Sequence, residues 1–382
     1  MSTPLQDYEK EPSIPPTEYI RVDPESLLEY VTKVFETLGT KREYAEIVAD
    51  VLVKADLMGI SSHGVQRIRR YVDGIRCGNI KPNNEPVVVS DVGAITVLDA
   101  RMGFGQVAGV KAIEIAIEKA QYYGVGVVAV RNSNHYGIAG YYALRAVEKG
   151  YIGISMTNSR ALVAYTHTLE KNIGTNPIAI GIPRKNPPPI LFDAATSVVP
   201  VGKIELYSRI GKTVPEGWVV DLENGEIVSG DASKILDMIK EGRAALLPLG
   251  GLGELLGGHK GSALSLIIDI FSGVLSGAGW GRRVGYTVGD KPSNVGHFFI
   301  VLDIDAFMDR EVFWNRLEEY IKEIKSSKKH PTSDHIWIPG EKSWYTMQTR
   351  LRKGVPLHKN VYNDLVKLGK ELGVQVVLRV KS

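Results

Sequence analysis

Apolar residues recur at helical spacing through Leu27, Leu28, Val31, Val34, Phe35 and Leu38, which predicts a first helix. Asp23 can cap it with Pro24 at its first position, and Gly39 stops it. Thr40 and Glu43 form a capping-box pattern that opens a second helix over 41–58, closed by Gly59. Ser61 and Ser62 read as caps of a third helix that runs to about residue 73. Together these predict an N-terminal helical unit, ordered from about residue 23. After Pro86 the texture changes. Residues 94–99 read as a strand, 106–123 as a helix and 125–130 as another strand, a β-α-β pattern. Helix, strand and Gly-rich loop then alternate to about residue 303, with strand-like runs at 152–156, 178–182 and 190–192. A charged amphipathic helix over 309–327, a Pro-Gly loop at Pro339 and a helix around 361–372 close the chain. The fold class is α/β (α+β), with no internal repeat.

Composition narrows the classes. A chain of 382 residues predicts two or three domains, and 44% hydrophobic with 23% charged residues is ordinary for a globular protein. The net charge is only +3 and the basic residues are scattered, which argues against a nucleic-acid partner. The single cysteine, Cys77, excludes an intrachain disulfide and a cysteine-based metal cluster, and it fits a reducing cytoplasm. Residues 1–20 are polar and carry Pro4, Pro12, Pro15 and Pro16, so they read as a disordered arm rather than a signal peptide. The most apolar long stretch, 263–280, contains Asp269 and several Ser and Gly residues. It reads as a buried helix and not as a membrane span.

Several turns carry candidate chemistry. Gly103-Phe104-Gly105 with Gly109 opens a helix after a strand, but the spacing is GxGxxxG. The next strand ends in Arg131-Asn132, with no acid to hold a ribose, so a Gly-rich turn competes with a dinucleotide fingerprint. Gly257-Gly258-His259-Lys260-Gly261-Ser262 resembles a phosphate loop without matching its pattern. It is either a cradle for a pyrophosphate at a helix start or a tight turn. His63 is placed in the first turn of the third helix, where the dipole disfavours an added positive charge and leaves a neutral base. Arg67, four residues on, shares that face and can grip a carboxylate. The competing reading makes Ser62 a simple cap and His63 an exposed residue. The polar turn from Asn132 to Gly137 holds His135 at a strand-to-helix junction, either in a site or as a structural histidine. The eight histidines show no HxxxH or HExxH spacing, so no metal site is expected, and no GxSxG elbow is present.

Read in order, these motifs resemble the type-2 malate/L-lactate dehydrogenase family. They are Ser62-His63-Gly64 with Arg67 and Tyr71, Asn132 to Gly137, Gly174-Thr175-Asn176-Pro177, Asp193 to Ser197, Leu247 to Gly251, His259-Lys260-Gly261 and Ile338-Pro339-Gly340-Glu341. The resemblance spans about residues 23–374. It implies a non-Rossmann cofactor domain over 93–304, and a helical domain of 21–92 joined in space by 305–382. It also implies a homodimer and an NAD- or NADP-dependent interconversion of a small 2-hydroxy acid, malate or lactate, with its 2-oxo acid. On this resemblance His63 is the general acid/base with Ser62 beside it, and Arg67 and Thr175 contact substrate. His135, Ser159, Asp193, Ala194, Ala195, His259, Lys260, Pro339, Gly340 and Glu341 contact the cofactor. Relatives implied by the same resemblance act on cyclic imines, sulfolactate, ureidoglycolate or diketo sugar acids. A non-catalytic small-molecule-binding protein is the remaining alternative.

Overall fold

The computed structural model describes residues 7–10 and 16–381. The first helix, Pro24–Thr37, starts as expected, with the Asp23 carboxylate accepting the Ser26 amide at 3.0 Å. The strand Tyr19–Val22 precedes it and pairs antiparallel with Val355–His358, so order begins earlier than residue 23. Most of the remaining expected arm, residues 1–6 and 11–15, lies outside the described residues. The capping box at Thr40 does not form. The second helix, Arg42–Leu57, takes Lys41 as its cap residue, and the buried Thr40 hydroxyl has no hydrogen-bond partner. Asn83 Oδ1 accepts the Lys41 amide instead, at 2.8 Å.

One core gathers Leu27, Val31, Phe35 and Leu52 with Val355, Leu357, Leu365 and Leu368 near the C-terminus. The other face of the second helix, through Val51, Ala55 and Met58, enters a second core with the central sheet. That helix therefore couples the two ends of the chain to the middle.

The central sheet has seven strands, in the order Val87–Val92, Ile95–Asp99, Val125–Ser133, Val295–Leu302, Ile152–Thr157, Ile178–Ile182 and Ile190–Ala194. Only Ile95–Asp99 and Val125–Ser133 pair in parallel; every other neighbour is antiparallel. The β-α-β unit read from the sequence is this parallel pair with the helix Gly105–Tyr123. A sheet with one parallel pair is not doubly wound, so the nucleotide crevice of an all-parallel sheet has no counterpart here. A second sheet of five strands, with the helices Val201–Arg209 and Ala232–Glu241, forms its own core around Ile204, Val219 and Ile235.

The stretch read as a buried helix turns out inside-out. It begins as the helix Gly258–Asp269 and continues as a π-turn, Ile270–Leu275. Its small and polar residues Ser262, Ser265, Asp269 and Ser272 face the protein, while Leu264, Ile267, Val274 and Leu275 are 39–60% exposed. Asp269 explains the polarity, because its two oxygens accept from Asn158 Nδ2 and the Gly281 amide, both at 2.8 Å. No helix of the described residues is long and apolar enough to cross a membrane.

Candidate active site

The segment expected as one helix from Ser61 is broken into two 3-10 turns, Ser61–His63 and Val65–Arg67, before the helix Ile68–Arg76 begins. The break has a local cause. The buried Asp56 carboxylate accepts the Val65 amide at 2.7 Å, and a side-chain carbon on Gly64 would overlap that carboxylate. His63 thus precedes the helix rather than occupying its first turn. Its neutrality comes from desolvation and from the neighbouring Arg67 and Arg70, which press the imidazole down to about pKa 3. Arg67 does not simply share a helix face with His63. It folds back, its Nε donating to the Ser62 carbonyl at 2.7 Å and its Nη2 pairing with Glu205 at 2.8 Å.

His135 leaves the end of the strand Val125–Ser133 and stacks on His63, with ring centroids 5.6 Å apart and planes 12° from parallel. Its Nδ1 accepts from the Gly137 amide at 3.3 Å and from the Tyr71 hydroxyl at 2.6 Å. Burial pushes the Tyr71 phenol up to about 12, so that hydroxyl keeps its proton. Burial, then the nearby Arg70 and His63, also pushes His135 well below the usual histidine range. With two donors on Nδ1, the ring proton of neutral His135 sits on Nε2, and the ring has no free lone pair. His63 differs: its Nδ1 lies 3.0 Å from Ser62 Oγ, and one nitrogen is left to accept a proton.

These two imidazoles line a cavity of about 140 Å³ together with Arg67, Ser159 and Thr175. A cavity of about this size takes up one benzene-sized molecule, which suits a small acid. Thr175 and Ser159 are tied together, with the Thr175 amide donating to Ser159 Oγ at 3.0 Å and the hydroxyls 3.2 Å apart. The same cavity holds Arg70, Arg160, Glu205 and Tyr286, which the sequence reading did not single out. Arg70 had a signal, since it lies one helical turn beyond Arg67. The other three sit in distant segments and have none.

The remaining expected residues fall into two other places. Asp193, Pro339 and Gly340 line a separate cavity of about 290 Å³. There Asp193 Oδ2 accepts the Gly140 amide at 2.9 Å, and burial pushes the carboxyl up to about 6. Ala194 ends the last strand of the sheet, and Ala195 leads into Thr196, whose amide donates to the Thr175 carbonyl at 2.9 Å. Glu341 is 2% exposed and is held by Lys325 and by the Ile338 amide at 3.0 Å, so its carboxylate anchors the Pro339-Gly340 loop from inside.

His259 and Lys260 open the helix Gly258–Asp269. The amides of His259, Lys260 and Gly261 already donate to the carbonyls of Gly253 and Gly257, at 3.2, 2.9 and 3.3 Å. The backbone there is a tight turn and offers no cradle from those amides. Its tightness follows from the Leu249–Gly251 segment, which passes so close that a side-chain carbon on Gly258 or Gly261 would overlap its carbonyls. What remains is side chains. His259 Nδ1 is buried without a hydrogen-bond partner, and the side chain of Lys260 is exposed, with no carboxylate partner among the described residues. An unpartnered imidazole nitrogen beside a free ammonium fits the phosphates of a dinucleotide. The Gly103-Gly105-Gly109 series is structural. A side chain at Gly105 would overlap the Asn134 carbonyl, and one at Gly109 would meet the Tyr142 ring at 2.5 Å. Among the described residues no group of three or more His, Cys, Asp or Glu is placed to hold a metal ion.

Comparison with known proteins agrees with this geometry. The sequence pattern of the malate/L-lactate dehydrogenase family matches residues 22–366. The chain is 51% identical over 357 residues to the malate dehydrogenase of Pyrococcus abyssi, covering 94% of this chain and 96% of that one. It is 37% identical over 354 residues to the L-sulfolactate dehydrogenase of Methanocaldococcus jannaschii, covering 92% and 97%. The solved malate dehydrogenase of Pyrococcus horikoshii OT3 superposes with a TM-score of 0.87 at 47% identity, over 97% of this chain and 100% of that one. With matches of this extent running through the turns that build the cavity, the chain belongs to the malate/L-lactate dehydrogenase family.

Proposed function

We propose that this chain oxidises a small 2-hydroxy acid, malate or lactate, to its 2-oxo acid with NAD or NADP, and that His63 takes the hydroxyl proton. The observation that carries the reading is one small cavity holding a neutral imidazole with a free nitrogen, His63, beside the carboxylate clamp Arg67. Ser62 Oγ steadies His63 through Nδ1. Arg67 grips the acid's carboxylate, and its bond to the Ser62 carbonyl keeps base and clamp in one register. His135, fixed as an Nε2–H donor, orients without accepting a proton. The nicotinamide, when bound, supplies the hydride acceptor. Ser159, Asp193, Ala194, Ala195, His259, Lys260, Pro339 and Gly340 would hold that cofactor, with Glu341 supporting the loop. In this scheme the unit of residues 21–92 and 305–382 supplies base and clamp, and residues 93–304 supply the cofactor face. The single Cys77 supports a cytoplasmic setting.

Turnover on a panel of 2-hydroxy and 2-oxo acids with each cofactor tests the reading; no oxidation or reduction of any of them would remove it. The pH profile tests the base. Reduction needs protonated His63, and with the free-enzyme imidazole near pKa 3 its charged fraction falls tenfold per pH unit. The expected log kcat/KM for reduction therefore drops with a slope of about −1 between about pH 5 and 8, while oxidation is flat over that window. A flat reduction limb would contradict it. We also propose a homodimer, closed through the outward apolar row of Leu264, Ile267, Val274 and Leu275. Sedimentation at micromolar concentration is expected to give a two-chain particle, and Ile267→Lys is expected to shift it toward monomer. A fully active wild-type monomer would exclude this assembly.

A further inference from the structure

Residues 7–10, expected from the sequence to belong to a disordered arm, are docked in the structure. The Tyr8 ring packs on Trp337 with centroids 4.8 Å apart, and Trp337 lies just before the Pro339-Gly340 loop. The Glu9 carboxylate pairs with Arg21 and, at 3.1 Å, with Nε of the buried Arg350. The Lys10 amide donates to Oγ1 of the buried Thr346 at 2.6 Å. The holds on Arg350 and Thr346 are inside the protein, so releasing the segment would leave a buried guanidinium and a buried hydroxyl each short of a partner. The matched family pattern begins at residue 22, and this segment lies outside it.

The docking leads Lys10 to a particular place. Its side chain lines the cavity that also holds Asp193, Pro339 and Gly340, and it stays exposed there, at the rim. Its ammonium offsets part of the burial that raises Asp193, yet no ion pair joins the two among the described residues. Lys342 lines the same cavity but is drawn over the Trp337 ring, 5.4 Å from its centroid. The Asp193 carboxylate and the Lys10 ammonium therefore face one space without closing on each other. An ionised carboxylate only accepts hydrogen bonds, and an ammonium only donates them. A ribose hydroxyl does both, and a phosphate or amide oxygen accepts, so the pair matches the mixed polar surface of a dinucleotide better than either group alone.

Resting on the reading of that cavity as part of the cofactor site, we propose that Lys10 is a cofactor-binding residue, delivered into the site by the docked segment of residues 7–10. Its ammonium donates to an oxygen of the bound NAD or NADP, beside the groups that Asp193 holds. Tyr8 and Glu9 are positioning residues, which act on the cofactor by keeping Lys10 at the cavity.

The test is fluorescence titration with NADH and with NADPH, no substrate present, of the wild type, Lys10→Gln, Lys10→Arg, Tyr8→Ala and Asp7→Asn. Lys10→Gln is expected to raise the cofactor Kd about 3- to 10-fold, the loss of one hydrogen bond, with kcat at saturating cofactor within about twofold. Lys10→Arg keeps charge and reach and is expected to recover most of the loss. Tyr8→Ala is expected to cost a similar factor and to add little to Lys10→Gln, because both act through one contact. Asp7→Asn breaks only the exposed pairing with Lys353 and is expected to leave Kd within about twofold. A larger effect of Lys10→Gln on NADPH than on NADH places the ammonium on the phosphate that NADP alone carries; an equal effect places it on an oxygen common to both. Wild-type Kd values in Lys10→Gln, or an Asp7→Asn variant weakened as much as Lys10→Gln, overturn the assignment while the cofactor reading stands. A wild type that binds neither NADH nor NADPH brings down the cofactor reading and this assignment with it.

Discussion

His63→Asn is expected to lower kcat by about 10²–10⁴-fold in both directions, with the dissociation constant of NADH nearly unchanged. Asparagine keeps the size and a hydrogen bond to Ser62 but cannot accept a proton near neutral pH. The factor corresponds to about 3–5 kcal/mol of barrier. His135→Asn should behave differently. Its Nδ1 is saturated by Tyr71 and the Gly137 amide, so the ring orients and does not exchange protons. The expected loss is mainly in NADH affinity, with a smaller fall in kcat at saturating cofactor. Stopped-flow turnover combined with fluorescence titration separates the two. If His135→Asn abolished turnover with NADH affinity intact, while His63→Asn stayed active, the roles would have to be exchanged.

The second large effect is expected at Asp56, which touches neither substrate nor cofactor. Its carboxylate accepts the Val65 amide and lies beside the buried Arg350, whose Nη1 donates to the Asp56 carbonyl. Asp56→Ala strands the Val65 amide, while Arg350 keeps its bond to the residue-56 carbonyl and its pairing with Glu9, 3.1 Å from its Nε. A loss of about 1–3 kcal/mol of stability is expected, the range for leaving a buried hydrogen-bonding group unsatisfied. Activity should fall with it, because the Val65 amide bond sets the turn that carries His63 and Arg67. Asp56→Asn keeps an acceptor for that amide and should retain most of both. It also isolates a pH effect. Burial pushes the Asp56 carboxyl up to about 6 in the folded chain, above its ordinary value. A raised acid favours the folded state while protonated, and that advantage is lost as pH rises through the folded pKa. Wild-type stability relative to Asp56→Asn should therefore decline between about pH 4 and 7, by about 3 kcal/mol. Denaturant midpoints across that range read it directly; a difference that does not change with pH, or an Ala variant as stable as wild type, would refute the account.

Much of this molecule is legible from local pattern. The first helix, with Asp23 and Pro24 at its start, the charged helix Arg310–Ser326 behind Asp309 and the last helix Lys359–Leu372 all follow from caps and apolar spacing within a dozen residues. So does the β-α-β unit. Each depends on forces that act between sequence neighbours, so the sequence suffices.

The helix Glu341–Lys353 escapes that reading because its buried residues are Glu341, Thr346, Thr349 and Arg350. Its inward face is polar and leaves no apolar stripe. The inversion of Gly258–Asp269 escapes for a related reason: hydrophobicity tells which residues can be buried, and only Asn158 and the Gly281 amide, from distant segments, decide that Asp269 goes inward. The site shows the same division. Residue types, order and family resemblance named His63, Arg67, His135 and Thr175 from the sequence alone. That His63 is neutral through burial rather than a helix dipole was decided by tertiary structure. So were the proton position on His135, the pairing of Arg67 with Glu205, and the meeting of Arg70 and Arg160 on Tyr286. Desolvation and charge pairing depend on distances in space, and the Arg160 and Tyr286 that now stack are 126 positions apart in the chain.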